Sequence, residues 1–248
     1  MTDNELYNRR YHANEAIKQT KISHPSFKFI ARYRFKTIVT DHTNPKRPIV
    51  KAYTRKVEII FLGKIKELLR FQLLCTAIDF EGERISSSPF LKEIAYVFDE
   101  VEISADEEGN IIELHNLRAM AIRWEKIKAK LLKDNEGTEM MNYFKNVDKV
   151  LNSEQEAIKF LSNYNMYGLY FNGCIGNNEN HAVKSVILKD NEEHEIVIKT
   201  SAPNNLFDGH YFYTEGLLSE AILETTEGNN HIKYTALCLG LKKASYSS

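Results

Sequence analysis

The segment from 208 to 216 (DGHYFYTEG) combines one histidine with closely spaced aromatic residues. Side chains alternate between the two faces of a β-strand, so Tyr211 and Tyr213 would lie on one face and His210 on the other. A histidine could act as a base or a metal ligand, and aromatic rings could receive a flat ligand. Aromatic residues are also ordinary packing residues of sheets, which is the favoured interpretation. A hydrolase-type enzyme using His210 is therefore the least favoured of three functional hypotheses.

Signatures of common enzymes are missing from the sequence. It contains no GxGxxG, GxxxxGK[ST], HExxH, paired CxxC or GxSxG pattern. Cys174 has apolar neighbours and no local basic group that would lower its pKa, as a nucleophilic thiol requires. The remaining histidines have no metal-ligand spacing. We therefore expect no catalytic residue, no metal site and no cofactor, and the sequence favours a protein that is not an enzyme.

A net charge of −1 conceals a strong separation of charge along the chain. Residues 1–72 hold 16 Lys and Arg against 6 Asp and Glu (+10), whereas residues 73–115 hold 2 against 11 (−9). The favoured interpretation is that the two segments are neighbours in one sheet and pair across strands. Such a separation could also mark a nucleic-acid face, or a surface that meets a protein partner of complementary charge.

The cations near residue 30 alternate with aromatic residues on the opposite face of a predicted strand. Readers of single-stranded nucleic acid need stacking rings beside their cations, so nucleic acid is not favoured. The leading hypothesis is a non-catalytic protein-interaction, assembly or adaptor subunit with segregated basic and acidic surfaces, binding a protein partner or associating with itself. The candidate interaction residues are Lys28, Arg32, Arg34, Lys36 and Arg55.

The alternative hypothesis is a small-molecule or lipid-binding module with a cavity between helices and sheet. Methionine and aromatic side chains concentrate in the predicted helical region, where they could line an adaptable apolar pocket. Such residues also form ordinary cores. The candidate pocket residues are Met120, Trp124, Met140, Phe144, His210, Tyr211 and Tyr213.

Hydrophobic periodicity predicts an α+β fold with a mainly antiparallel sheet, in the order strands, two or three central helices, strands. We expect one curved sheet or two stacked ones, with the helices on an apolar face. Ser153 and Glu156 fit a capping box that opens the third helix. The predicted strands are a three-strand meander over 27–79, then 94–104, 111–114, 168–175, 182–189, 194–200, 209–214, 217–226 and 231–241, and the predicted helices are 117–134, 138–151 and 154–164.

One domain is expected over residues 27–248, with its helical segment at about 116–164, preceded by an arm or short helix over 1–26. No run approaches the roughly 18 apolar residues that a membrane-spanning helix needs. The polar N-terminus lacks the apolar core of a secretory signal, and three widely spaced cysteines do not indicate a disulfide framework. A cytoplasmic location is therefore predicted.

Overall fold

A computed structural model describes most of the chain between residues 29 and 243. The described ranges are 29–82, 88–106, 109–134, 137–171, 182–188, 193–200, 207–214 and 217–243. The predicted arm over 1–26, Lys28 and Cys174 lie outside them. The strands are β1 (Phe29–Asp41), β2 (Ile49–Ile65), β3 (Leu68–Gly82), β4 (Glu100–Ala105), β5 (Ile111–Leu114), β6 (Ala182–Leu188), β7 (Glu193–Thr200), β8 (Phe207–Thr214), β9 (Leu217–Glu227) and β10 (Asn230–Lys243). The α-helices are α1 (Ser88–Ala95), α2 (Leu117–Asp134), α3 (Thr138–Leu151), α4 (Glu154–Leu161) and α5 (Gly168–Phe171), and a 3₁₀ helix spans Tyr96–Phe98.

The described strands form one antiparallel sheet in the order β5-β4-β3-β2-β1-β10-β9-β8-β7-β6. Neighbours in the sheet are neighbours in the chain except at the centre, where β1 pairs with β10. The chain therefore builds one half of the sheet, then the helices α2 to α5, then the other half, while α1 and the 3₁₀ helix stand between β3 and β4 within the first half. This confirms the antiparallel α+β class, and of the two predicted arrangements the described strands form the single sheet.

One face of the sheet is buried, and we call it the inner face. On the central strands its side chains alternate with exposed ones, as the strand period requires. Register shifts interrupt several pairings, for example beside Tyr33 and Val57, and such bulges bend and twist a sheet. The inner face of the central strands includes Ala31, Tyr33, Phe35, Val57, Ile59, Phe71 and Leu73, each at most 5% exposed.

The central helices form where the 3.6-residue period predicts them. On α2 the buried residues Met120, Trp124 and Leu131 fall on one stripe. At the start of α4, Ser153 Oγ accepts a hydrogen bond from the Glu156 amide at 3.2 Å, which confirms the predicted N-cap. None of the helices in the described ranges is long and apolar enough to cross a membrane.

The predicted strand over 94–104 is wrong in its first half, because α1 and the 3₁₀ helix occupy Ser88–Phe98 and β4 begins only at Glu100. Pro89 stands in the first turn of α1, where a missing amide hydrogen costs nothing. The buried residues Ile94, Val97 and Phe98 follow helical spacing rather than alternation.

The predicted strand over 168–175 is also wrong where the structure describes it, since Gly168–Phe171 is helical. Gly168 donates its amide hydrogen to the Asn163 carbonyl at 3.0 Å. A Cβ atom at this position would lie 2.2 Å from the Ser162 carbonyl oxygen. The tight turn, which only glycine fits, delivers the aromatic residues that follow it onto the inner face.

Candidate functional site

The candidate site lies where two adjacent rows of inner-face side chains cross β3, β2, β1 and β10. Directly paired residues on neighbouring strands have their Cβ atoms about 5 Å apart, so each row is a line of touching positions. The first row is Phe80, Tyr53, Thr37 and Tyr234, and the second row is Ile78, Arg55, Phe35 and Ala236.

Two pairs of aromatic rings border the first row. Tyr53 stacks on Phe80, with ring centroids 5.9 Å apart and an interplanar angle of 21°. Tyr164, from the segment after α4, lies 5.9 Å from Tyr234. The small side chain of Thr37 stands between the two tyrosines of the row. All four rings are half-buried, and we call them the aromatic rim.

Arg55 lies in the second row, just inside the aromatic rim. Its side chain is 7% exposed, and it is the only buried charged residue among those that the structure describes. Its direct partners on the neighbouring strands are Phe35 and Ile78, which are both buried and apolar. The prediction that Arg55 belongs to an exposed basic surface is therefore wrong, because Tyr53, Arg55 and Val57 share the inner face of β2.

The segment at Asn165 and Met166 covers this arginine. Arg55 Nη1 donates to the Asn165 carbonyl at 3.4 Å and contacts the Met166 sulfur. The Tyr53 hydroxyl donates to the same carbonyl, and the Arg55 guanidinium lies 5.1 Å from the Tyr53 ring centroid. No described carboxylate pairs with Arg55. A carbonyl, a ring and a sulfur thus partly compensate a charge held in apolar surroundings.

Burial raises the pKa of three other ionisable groups at or beside the site. Burial raises the pKa of the Cys75 thiol to about 11, although the charge of Arg55 opposes that rise. Burial likewise raises the pKa of Tyr167, again against the influence of Arg55. Burial raises the pKa of Tyr234 in the rim to about 12. Cys75 is therefore a poor nucleophile, and Arg55 is the charge of the site.

A second polar feature at this position is the Asn165 side chain. Its Oδ1 atom is buried and has no hydrogen-bond partner among the described residues. Most buried polar side-chain atoms in proteins are hydrogen-bonded, so an unpaired one marks a place where a ligand or water can bind.

Of the cations predicted to form an interaction surface, Arg32, Arg34 and Lys36 lie on the outer face of β1, and Lys28 lies outside the described residues. Arg32 and Arg34 are exposed, whereas Lys36 is half-buried and pairs with Glu81 at 3.2 Å. Arg70 pairs with Glu102 at 2.6 Å across β3 and β4. These pairs confirm that the basic and acidic segments neutralise each other in part across strands.

The predicted pocket residues of the helical region pack together. Met120, Trp124, Met140 and Phe144 are all buried, with the Trp124 and Phe144 rings edge to face at 5.3 Å. The indole nitrogen of Trp124 donates to Asp148 at 2.7 Å. This group joins α2 to α3, and its ring contacts and hydrogen bond involve no residue of the two rows.

The predicted pocket residues of β8 divide between the two faces of the sheet. Tyr211 and Tyr213 are buried on the inner face, at 0% and 3% exposure. His210 alternates with them and is half-buried on the outer face. A pocket that combines the histidine with the tyrosines is therefore not formed by this strand.

One contact resembles part of a hydrolase triad, because Ser104 Oγ lies 2.7 Å from His115 Nε2. The nearby carboxylate of Glu113, however, approaches the same nitrogen, at 3.7 Å. A triad needs the acid on the opposite ring nitrogen, so this arrangement lacks the geometry of nucleophile activation. Within the described ranges, no three or more His, Cys, Asp or Glu side chains converge as a metal site.

No family model matches the chain, and no curated protein matches its sequence. A solved structure titled as lipid–protein interactions in lipovitellin is 11% identical, with a TM-score of 0.45 over 89% of this chain. This chain spans only 26% of that one. A LolA superfamily protein from Nitrosomonas europaea is 8% identical, with a TM-score of 0.25 over 94% of both chains. At these values neither likeness establishes a common fold or function.

Proposed function

We propose that this protein is a non-catalytic binding module that holds a small molecule of lipid type, with an apolar chain, between the inner face and the helical segment. The aromatic rim carries the proposal. Four half-buried rings at one end of a buried sheet face form an apolar border, and each ring keeps part of its surface exposed. Ligand sites of this kind are mostly apolar and contain few polar groups.

The interior behind the rim suits an apolar chain. Phe35, Ile78 and Ala236 provide apolar surface in the second row, and Ala221 lies directly beside Ala236 on β9. Burying a methylene group on such a surface contributes about 0.8 kcal/mol, so a chain of several carbons gains substantial affinity.

The adaptor hypothesis is less well supported by the described contacts. This hypothesis rests mainly on the opposite charge of two chain segments. The pairs Lys36–Glu81 and Arg70–Glu102 neutralise part of that charge within the fold. Surface ion pairs of this kind contribute little to stability. Because they already pair part of the opposite charge within the fold, there is no strong reason to expect a partner of complementary charge.

The test is a titration of the full chain with N-phenyl-1-naphthylamine, an uncharged probe whose fluorescence rises in apolar surroundings. We expect saturable binding at one site. Phe80→Ala removes one ring of the rim and should weaken binding roughly tenfold, in proportion to the lost aromatic contact. Phe90→Ala is the matched control, because Phe90 is also half-buried but packs against the ring of Phe144 at 6.2 Å and not against a ring of the rim.

Urea unfolding of both variants verifies that each remains folded at the temperature of the titration. Probe binding that is weakened by Phe80→Ala and unchanged by Phe90→Ala supports the proposal. Absence of saturable binding to the unaltered protein contradicts it, as does an equal loss in both variants.

A further inference from the structure

We infer that the ligand carries a single negative charge next to its apolar chain, and that Arg55 binds this charge as a carboxylate. The inference rests on the proposed function and specifies the chemical class of the ligand. It follows from the cost of burying Arg55 and from the donors that its guanidinium leaves unused.

A buried cation without a carboxylate is expensive, because desolvation removes its hydration and nothing of opposite charge replaces it. Arg55 is 7% exposed, and its nearest strand partners are Phe35 and Ile78. Its recorded contacts are a carbonyl oxygen, a thioether and a ring. These contacts are weaker than a salt bridge between a guanidinium and a carboxylate. The native state therefore keeps a cation that the described residues do not neutralise.

The guanidinium has donors left over for an anion. Its hydrogen bonds to described residues all leave from Nη1. Arginine presents five N–H donors in a planar fork, and the edge formed by Nε and Nη2 matches the two oxygens of a carboxylate. Among the described residues nothing accepts from that edge, so the fork is available on one side.

The charge balance of the site favours a monoanion. Arg55 is the only buried charged residue that the structure describes, and burial keeps the Tyr234 hydroxyl in the rim neutral by raising its pKa to about 12. One cation neutralises one carboxylate. A dianionic phosphate would leave an uncompensated charge in apolar surroundings, at the cost that buried charges incur.

Position supports the same assignment. Arg55 stands one row inside the rim, so a carboxylate paired with it would have the rings of Tyr53 and Phe80 on one side. The apolar chain would then lie over Phe35 and Ala236 along the inner face. An amphiphile of the fatty-acid type has this combination of one carboxylate and an aliphatic chain.

The experiment compares dodecanoate with dodecanol, which have the same chain length but only one of which is charged, by calorimetric titration of the full chain. The carboxylate should bind the unaltered protein roughly tenfold to a hundredfold more tightly, the ratio expected of a charge-assisted hydrogen bond in a buried site. Arg55→Met keeps an unbranched apolar side chain and should abolish that preference, so that dodecanoate binds no more tightly than dodecanol. Arg55→Lys, which keeps the charge, should retain part of the preference.

Lys56→Met is the matched control, because Lys56 is the next residue along β2 and is exposed on the outer face. It should leave both affinities unchanged. Equal affinity for the two probes in the unaltered protein overturns the inference and leaves the proposed function standing. Failure of both probes to bind overturns the proposed function. A preference that survives in Arg55→Met, or that is lost in Lys56→Met, assigns the charge recognition to other residues and also overturns the inference.

Discussion

Tyr33 adds a side-chain hydrogen bond across the junction of the two halves of the sheet, where β1 pairs with β10, and Tyr33→Phe should measure the contribution of that bond to stability. Its hydroxyl donates to the Leu218 carbonyl at 2.6 Å, from β1 across β10 to β9, and the side chain is 1% exposed. Leu218 lies beside the register shift of the β8–β9 pairing, where the regular ladder is interrupted. Phenylalanine keeps the ring and its packing but leaves a buried carbonyl without this donor. The expected loss is about 1–3 kcal/mol in the free energy of unfolding.

The assay is urea unfolding followed by the fluorescence of Trp124, the single tryptophan of the chain. The midpoint should fall without a change in the slope, because the area exposed on unfolding stays the same. Tyr170→Phe is the control, since Tyr170 packs edge-on against Tyr33 at 5.2 Å and no described residue accepts a hydrogen bond from its hydroxyl. If the two variants lose the same free energy of unfolding to within about 0.5 kcal/mol, the hydrogen bond does not stabilise the junction of the two halves as argued.

Two further predictions concern pH and a backbone turn. Burial raises the pKa of Tyr33, Tyr167 and Tyr234 above the ordinary value of 10, so folded tyrosines stay protonated when unfolded ones ionise. Their contribution is complete below pH 10, and stability should fall above it by about 1.4 kcal/mol per pH unit for each tyrosine; a free energy of unfolding that stays constant as the pH is raised above 10 would refute this. Gly168→Ala places a Cβ atom 2.2 Å from the Ser162 carbonyl oxygen and should cost several kcal/mol by the same unfolding assay. Gly228→Ala, which meets no atom within 4 Å, should lose only the smaller strain of its φ of 59°; a Gly168→Ala variant no less stable than Gly228→Ala would contradict the assignment.

The sheet was predictable wherever one face alternates with the other. The pattern of β1 places Tyr33 and Phe35 inside and Arg32 and Arg34 outside, as the structure has them. Prediction failed at Ser88–Phe98 and Gly168–Phe171, which are short and rich in apolar residues. A short apolar run without clean alternation fits a buried strand and a buried helix turn equally well, so periodicity could not decide between them.

The candidate site was the harder part to predict. Arg55 looks like one more member of a basic strand face, yet Tyr53, Arg55, Val57 and Ile59 share the inner face and alternate with polar residues. Those polar residues are Thr54, Lys56 and Glu58. That alternation was the available signal for a buried arginine. The rim was not predictable, because Tyr53 and Tyr234 are 181 residues apart and meet only through the pairing of β1 with both β2 and β10.

The most direct test of the binding proposal is native mass spectrometry of the full chain incubated with an equimolar amount of dodecanol, compared with the Phe80→Ala variant under the same conditions. The account predicts a complex of one dodecanol per chain for the unaltered protein, and a clearly smaller fraction of it for the variant. A bare species of 28.7 kDa, or a complex that Phe80→Ala leaves unchanged, would contradict a ligand site at the aromatic rim.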